Sequence, residues 1–510
     1  MDDAPRKVRK KTIKVMKVMT KAQKKRHSPA VVKSWHKPVS GAADPNWALH
    51  FVQTLSAPLR NLKQTIADGT ELVIWSDCAG MCTELYAAQL LVDELQKNLA
   101  VDIKFKLHAG SDKSLHCREF ADSNFGPVHF AADIFRRDFE ESTFECTKCG
   151  GTCSLPRRGV DIYWCCLPIG QWNNGRKRLS PADRHADVCW QTIKTIHHIQ
   201  PVMFVMLVEF TMKENDLSVI KSYMKEKLGD QFGTVTIINT SPVHHGYPTE
   251  KTRTLVIGGR RDQIDGKAMQ NVFAKLIENP MTVHNNYWTL LGIQGQCDEV
   301  LSSVGQLPSP EAAVVIQRSR CKCGVDPNIV CPLHPCFCVR CRCRTRGKRL
   351  ASACTWRAKA TAYLAAAGLQ LTAADGCVTY IQALELADIR VPHSARARNM
   401  LNITARLPWA QPLRETLMIF DLNQSVDRRT VKSDGTVPNM TRNAVMWSMR
   451  ACRELTVSEM AKLLGQDLRK ADLRFTTENQ MRQMLGMSMH VATAGFALAG
   501  LLAAVGADSQ

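Results

Sequence analysis

The chain has 510 residues, 45% of them apolar, and a net charge of +20 at pH 7. A chain of this length is longer than a single compact domain usually is, so we expect two or more domains with a sizeable hydrophobic core. The basic balance favours a polyanionic partner, most simply nucleic acid; the alternative is a solvated basic face with a targeting tail. Because the N-terminus lacks the apolar run of a secretory signal, the twenty cysteines indicate metal or thiol roles rather than disulfides.

Much of the charge lies at the start of the chain, where residues 1–37 hold thirteen Lys or Arg and two acids. We expect residues 1–40 to form a basic, disordered arm. Its blocks "RKVRKK" (6–11) and "KAQKKRH" (21–27) are typical of nuclear-localisation patches. The sequence therefore predicts a nuclear protein.

Apolar strands alternate with amphipathic helices from about residue 71. The strands are predicted at 71–75, 102–107, 128–134, 160–165, 202–208, 234–239 and 253–259, with helices at 82–99, 183–198 and 216–228. This alternation is typical of an α/β fold whose mostly parallel sheet binds ligands at the carboxyl ends of its strands.

The pattern changes after about residue 296. The boundaries that we predict are 70–295 for the first part of the α/β domain, 320–355 for a Cys-rich segment, 356–450 for a mixed region and 451–507 for a C-terminal segment. In the last, Thr456 and Glu459 have the spacing of a helix capping box. The apolar run 490–507 is at the lower limit for crossing a bilayer, so we expect a buried core helix and no membrane association.

Small residues and carboxylates follow successive strands of the predicted sheet. Cys78, Ala79, Gly80 and Met81 form a turn between a strand and a helix, where backbone amides can approach a cofactor closely. Asp112 follows the next strand and Asp133 the third. Together they predict a nucleoside-binding edge.

Two segments are rich in metal-ligand residues. One offers eight soft ligands within 23 residues, which suits two tetrahedral zinc sites of undetermined pairing: Cys321, Cys323, Cys331, His334, Cys336, Cys338, Cys341 and Cys343. The other, "CTKCGGTC" (146–153), offers three cysteines, which do not close a structural site; an ordinary loop is an equal interpretation.

Taken in order, these segments resemble the DNA cytosine-5 methyltransferase family, which uses S-adenosylmethionine. "DIYWCCLPIGQWNNGRKR" (161–178) is similar to the catalytic loop, and "GYPTEKTRTLVIGGR" (246–260) to the Gln-x-Arg-x-Arg segment, with Arg253 as its last arginine. Residues 420–441 resemble part of the target-recognition region, and 482–502 the final cofactor motif. The resemblance covers roughly 70–505. It implies a class I, Rossmann-like α/β sheet with a smaller Cys-rich and target-recognition insert, and adds Pro168 and Ser488 to the cofactor residues.

The family's catalytic residues are not intact. Its members attack C6 of a flipped cytosine with a thiolate, but the matching position here is Ile169. The glutamate that assists at the ring corresponds to Leu207, with Glu209 displaced by two residues. The ribose-binding acid maps to Gly110. Cys165 and Cys166 are the substitute nucleophiles to consider, although buried cysteines acting as small hydrophobes are the simpler interpretation.

Basic residues at the end of the loop, Arg176, Lys177 and Arg178, are suited to neutralising phosphates of DNA. A solvated basic face is an equal interpretation. Three functions stay open from the sequence. The first is a methyltransferase-like protein impaired in transfer that binds nucleic acid. The second is an active enzyme with rearranged catalytic residues. The third is a zinc-dependent scaffold.

Overall fold

The computed structural model describes residues 46–168, 186–209, 214–229, 231–233, 235–281, 291, 391–392, 397–398, 400–402, 419–424, 436–449 and 451–507. The basic arm, the Cys-rich segment and most of the mixed region 356–450 lie outside these residues. Ile169 and the basic group Arg176, Lys177 and Arg178 also lie outside them.

The described elements alternate as the sequence pattern predicts. The strands are β1 (Thr70–Asp77), β2 (Ile103–Ser111), β3 (His129–Ala131), β4 (Arg137–Asp138), β5 (Thr143–Cys146), β6 (Gly151–Ser154), β7 (Ile162–Cys166), β8 (Met203–Glu209), β9 (Thr236–Thr240), β10 (Arg253–Gly259), β11 (Ile419–Asp421), β12 (Met446–Ser448) and β13 (Arg453–Glu454). The helices are α1 (Trp47–Thr54), α2 (Ser56–Thr65), α3 (Thr83–Leu99), α4 (Leu115–Phe125), α5 (Ala186–Ile199), α6 (Glu214–Leu228), α7 (Gly266–Glu278), α8 (Val457–Lys462), α9 (Glu478–Met487) and α10 (Val491–Ala507).

Seven strands form the central sheet, in the order β3-β2-β1-β7-β8-β10-β9. The neighbours from β3 to β8 pair in parallel, whereas β10 is antiparallel to both β8 and β9. One reversed strand inserted next to the edge of an otherwise parallel sheet is the arrangement of the class I methyltransferase fold. The predicted fold class is therefore confirmed.

Apolar side chains cover both faces of the sheet because successive strand residues point to opposite sides. In β8, Met203, Val205 and Leu207 belong to the cluster that contains α1, α3, α7 and α10. Phe204, Met206 and Val208 of the same strand belong to the cluster on the α5 and α6 face. A strand apolar on both faces is typical of a sheet covered by helices on both sides.

The last helix, α10, is buried almost throughout and packs on α2, α3 and α7. Its glycines permit this close approach. A Cβ at Gly495 would lie 1.9 Å from the ring of Trp47, and one at Gly500 would lie 2.3 Å from the ring of Phe273. Among the described helices, no single one is long and apolar enough to cross a membrane, and only α9 and α10 together, bent by 45°, satisfy the length and composition test.

Two small sheets flank the central one. The sheet β4-β5-β6 follows β3 in the chain and packs through Phe144 on Trp75 of β1, with ring centroids 5.5 Å apart. The sheet β11-β12-β13 shares an apolar cluster with α8 and α9. Thr456 and Glu459 form the predicted capping box of α8. Cys452, next to β13, is disulfide-bonded, so the expectation of thiols in place of disulfides is wrong at this position.

Candidate functional site at the carboxyl edge of the central sheet

The end of β1 carries a buried carboxylate whose oxygens are occupied by other side chains. Asp77 is fully buried and ion-paired with Arg137 of β4, whose Nη1 lies 2.7 Å from Asp77 Oδ2. The hydroxyls of Ser111 and Tyr163 also donate to Asp77. Arg137 donates in turn to Thr195 Oγ1 at 2.8 Å. Each partner comes from a different element, so this network ties β1 to β2, β4, β7 and α5.

The turn after β1 is held by Asp112, the carboxylate that follows β2. Its Oδ2 accepts from the backbone N–H of Gly80 at 2.9 Å, and its Oδ1 accepts from that of Ser114 at 2.8 Å. Burial raises the pKa of Asp112. Gly80 adopts a φ of 55°, and a Cβ there would meet nothing within 4 Å. The two groups predicted for the nucleoside edge are thus brought together, but they bond to each other.

The other predicted turn residues are distributed between the edge and the core. Ala79 and Met81 are buried, Ala79 in the cluster around α3 and Met81 in the cluster around α8 and α9. Cys78 is half-buried, with a φ of 50°. The turn is therefore half-buried at Cys78 and Gly80, and the Met81 side chain packs into the interior.

The position that corresponds to the family's ribose acid has no room for a side chain. A Cβ on Gly110 would lie 2.5 Å from the carbonyl oxygen of Ser76 and 3.0 Å from the ring of Phe130. β1 and β3 therefore close over this position from both sides. No residue larger than glycine fits without moving a strand.

Asp133 and Ser488 each make contacts within their own loop or helix end. The Asp133 carboxylate accepts from the N–H of Phe135 at 3.1 Å and pairs with Lys113 at 3.2 Å. The Ser488 hydroxyl donates to the carbonyl of Leu485 at 3.0 Å, at the end of α9. Both side chains close local turns.

The position that the resemblance implies for the ribose acid of S-adenosylmethionine does not carry an acid in this chain. A nucleoside ribose needs a carboxylate that accepts from its hydroxyls. Here that position is Gly110, where neighbouring atoms leave no space for a side chain. The nearby carboxylate of Asp112 accepts hydrogen bonds from the N–H groups of Gly80 and Ser114. We therefore assign no chemical step to this cofactor.

Glu84, in the first turn of α3, is an acid that sequence reasoning missed. It is fully buried; its Oε1 accepts from Ser76 Oγ at 2.5 Å, whereas its Oε2 has no hydrogen-bond partner among the described residues. Burial raises the pKa of Glu84 to about 7, although the Ser76 hydrogen bond opposes this. The burial of Glu84 cannot be predicted from the sequence, because an acid in the first turn of a helix is usually exposed. Glu84 is buried because α3 packs against the ends of the strands.

The cysteines considered as substitute nucleophiles are held as thiols. Cys165 is buried on the α5 face, where its Sγ lies 3.4 Å from Thr192 Oγ1. Cys166 is half-buried on the opposite face. Burial raises the pKa of both thiols, and the nearby Glu84 raises that of Cys166 further. Since the thiolate is the nucleophile, both are poorly suited to attack at neutral pH.

The family's ring-activating position is part of the apolar core. Leu207 is 4% exposed and lies opposite Leu255 and beside Cys166 in the sheet. Glu209 is the last residue of β8. In the antiparallel pairing of β8 with β10 it lies opposite Arg253, and the next pair is Val208 with Thr254. Arg253 is buried and donates to the carbonyl of Thr252 at 2.9 Å. Pro168 is exposed just after β7.

A second residue missed by sequence reasoning is Lys251, two positions before Arg253. It is fully buried, and its ammonium group donates to the carbonyls of Leu485 and Gly486 at 3.4 and 3.3 Å. These carbonyls end α9, where a cation is favoured by the helix dipole. Burial, together with the charge of Arg253, lowers the pKa of Lys251 well below its usual range.

The eight metal ligands predicted between Cys321 and Cys343 lie outside the described residues. Within the described part of the chain, one group could hold a metal ion: His129, Cys146, Cys149 and Cys153. Three of these are the cysteines of "CTKCGGTC", for which a loop was an equal interpretation. The fourth ligand comes from β3.

No family model matches the sequence, and no curated protein matches it. Solved structures are similar to the chain over 84% of its length. An Escherichia coli prophage protein described as a DNA modification methyltransferase has 14% identity and a TM-score of 0.45, over 98% of its own chain. Dnmt2 of S. pombe has 12% identity and a TM-score of 0.40, over 98% of its chain. A DNMT2 mutant of Spodoptera frugiperda has 12% identity and a TM-score of 0.39, over 99% of its chain.

Proposed function

We propose that this protein binds nucleic acid through a DNA cytosine-5 methyltransferase-like fold and does not transfer methyl groups. The observation that carries the proposal is the position of Leu207. Activation of a cytosine ring needs a group that can donate a proton beside the base, and a hydrocarbon packed against Leu255 and Cys166 provides none. Ile169 in the thiolate position supports the same conclusion, since a hydrocarbon cannot attack C6.

The edge that would hold the cofactor supports the proposal in a different way. Asp77, Asp112 and Ser488 are polar, but each is bonded to another part of the same chain. A cofactor would have to compete with bonds that are already formed in a buried environment. Such an edge stabilises the fold instead of binding a nucleoside.

The chemical part is tested with duplex DNA that contains 5-fluorocytosine, mixed with S-adenosylmethionine and the full chain. This base traps a cysteine-dependent enzyme because fluorine replaces the C5 hydrogen: after methyl transfer there is no proton to remove from C5, and the bond between sulfur and C6 cannot be broken by elimination. We expect no covalent adduct on a denaturing gel, with an active cytosine-5 methyltransferase as the positive control. An adduct that disappears on Cys165→Ser or Cys166→Ser, but persists in the matched variant Cys189→Ser, would establish the rearranged enzyme instead.

Cofactor binding is measured separately by calorimetric titration with S-adenosylmethionine. We expect no saturable heat, because the ribose acid is absent and Asp112 is bound to Gly80. Tight binding without an adduct would contradict this account of the edge while leaving the loss of methyl transfer in place.

Nucleic-acid binding is supported by the net charge of +20. We expect the logarithm of the affinity for duplex DNA to fall linearly with the logarithm of salt concentration, since released counterions provide the driving force. Deleting residues 1–37 should reduce the slope and leave measurable binding, because basic residues also occur throughout the remaining chain. A truncated protein without DNA affinity at low salt would contradict the proposal.

Nuclear localisation is proposed on the blocks 6–11 and 21–27. A fluorescent fusion of the full chain should accumulate in the nucleus, and one in which the Lys and Arg of both blocks are replaced by Gln should not. Equal distribution of the two fusions would reject these blocks as the signal.

A further inference from the structure

One imidazole and three thiols converge at the outer edge of the central sheet. The ligand atoms of His129, Cys146, Cys149 and Cys153 all lie within 4.8 Å of one another. His129 Nδ1 is 3.3 Å from Cys149 Sγ and 3.9 Å from Cys146 Sγ. In a tetrahedral zinc site, with bonds of about 2.0 Å to nitrogen and about 2.3 Å to sulfur, neighbouring ligand atoms lie about 3.6 Å apart. We propose that these four residues bind one structural zinc ion.

The backbone around Cys146 is arranged for a thiolate. The N–H groups of Phe130 and Cys149 point at its Sγ, at 3.4 and 3.3 Å. Backbone donors aimed at a sulfur favour its negatively charged form, which is the form that ligates a metal. Gly150 follows the second cysteine with a φ of 70°, the left-handed conformation that turns the chain back into β6. The spacing and the turn thus present two sulfurs to the same point.

The remaining ligands come from elements already paired with this turn. Cys153 lies in β6, whose backbone pairs with β5 and places Cys153 opposite Phe144. His129 begins β3, the edge strand of the central sheet. Four ligands from three strands and one turn close the coordination shell and leave no open position. A closed shell of three sulfurs and one nitrogen is that of a structural site and not a catalytic one.

The small sheet contacts the central sheet through Phe144, which packs on Trp75, and through Arg137. Its strands are two to four residues long, and a short hairpin is marginally stable alone. Yet β4 of this sheet supplies Arg137, the buried partner of Asp77. An ion that joins the β5–β6 hairpin to β3 would therefore also secure the ion pair at the end of β1. This zinc ion would be additional to the two that the Cys-rich segment predicts.

The wild-type protein tests the proposal directly. The full chain, expressed with zinc and kept reduced, is alkylated with N-ethylmaleimide before and after treatment with a zinc chelator, and the labelled peptides are mapped by mass spectrometry. Cys149 is exposed and would react first if it were free. We expect Cys149 and Cys153 to be protected before chelation and labelled after it, with the buried Cys189 unlabelled in both. Prompt labelling of Cys149 in the zinc-loaded protein would overturn the proposal, as would a disulfide between these cysteines.

Variants provide the second measurement, by elemental analysis of zinc per chain. Cys149→Ser and His129→Ala should each contain one ion fewer than the wild type. The matched variant Cys189→Ser should retain the full content, and His129→Cys should retain it through a four-sulfur site. Equal zinc content in all variants would reject the site. If a variant does not fold, the labelling of the wild type decides the question alone, and neither result depends on the proposed function.

Discussion

The two halves of the carboxyl edge differ in the polarity of their side chains. At β1 and β2 the polar residues remain, but Asp77 is bound to Arg137 and Asp112 to Gly80. At β8 the position that resembles the family's glutamate is apolar, and Leu207 is a core residue. The first half would have to be released from its own bonds to bind a ligand, whereas the second would need new residues. On the proposed function, methyl transfer would therefore require two unrelated kinds of change.

The largest effect is expected from placing an acid at Leu207, the position that resembles the family's glutamate. In Leu207→Glu a carboxyl enters a site that is 4% exposed, and desolvation by itself can shift such a pKa by 3 to 5 units, or about 5 kcal/mol at pH 8. We expect that loss in the free energy of unfolding, measured by denaturant titration. The exposed Leu90 supplies the control, Leu90→Glu, which should change it by less than about 0.5 kcal/mol. Similar values for both would show that β8 is not core at this position.

Breaking the ion pair at β1 is expected to cost slightly less. Arg137→Ala leaves Asp77 charged, buried and without its cation, which typically costs about 3 to 5 kcal/mol. The neighbouring Arg136 forms an exposed ion pair with Glu145, with 3.7 Å between the charged groups. Exposed ion pairs contribute little, so Arg136→Ala should cost less than about 1 kcal/mol. Chemical denaturation of both variants tests this difference. An Arg137→Ala variant as stable as Arg136→Ala would mean that the network does not hold the first half together.

Glu84 provides a pH-dependent comparison. Its pKa in the folded protein is raised to about 7 by burial, so its contribution to stability is complete below its unfolded pKa and is lost as pH rises through 7. Glutamine cannot ionise, so Glu84→Gln does not undergo this loss, and at pH 8 its free energy of unfolding should exceed that of the wild type by about 3 kcal/mol. The two should converge near pH 4.5. Unfolding measured from pH 4.5 to 8 checks the slope, and parallel curves would contradict a buried, protonated Glu84.

The smallest effect is expected at the turn after β1. Asp112→Ala removes the acceptor for the N–H groups of Gly80 and Ser114, which should cost about 1 to 2 kcal/mol. Asp112→Asn keeps an oxygen acceptor and should lose less. Asp133→Ala removes a turn cap and the ion pair to Lys113, with an expected cost below about 1 kcal/mol. Thermal unfolding of the three variants ranks them, and a reversed order would contradict the assigned role of Asp112.

The sequence predicts the sheet well because its signal is local. Each strand is a short apolar run, and the predicted strand 71–75 lies within β1. The metal site shows where local signals end. Its three cysteines are visible within eight residues, but His129 comes from 17 positions before Cys146, and only the pairing of β3 with the sheet brings it there. Likewise, the carboxylate of Asp112 is predicted at the edge, whereas its bond to Gly80 follows from how two turns meet in space.

The packing of α10 sets the timing of folding during synthesis. α10 covers α2 and α1, with Gly495 receiving the ring of Trp47, yet more than 400 residues separate these partners in the chain. A ribosome adds about 5 to 20 residues per second, so the apolar sides of α1 and α2 wait on the order of a minute for the helix that covers them. The part of the α1 and α2 surface that α10 covers is therefore exposed on the nascent chain until nearly all of it has been synthesised.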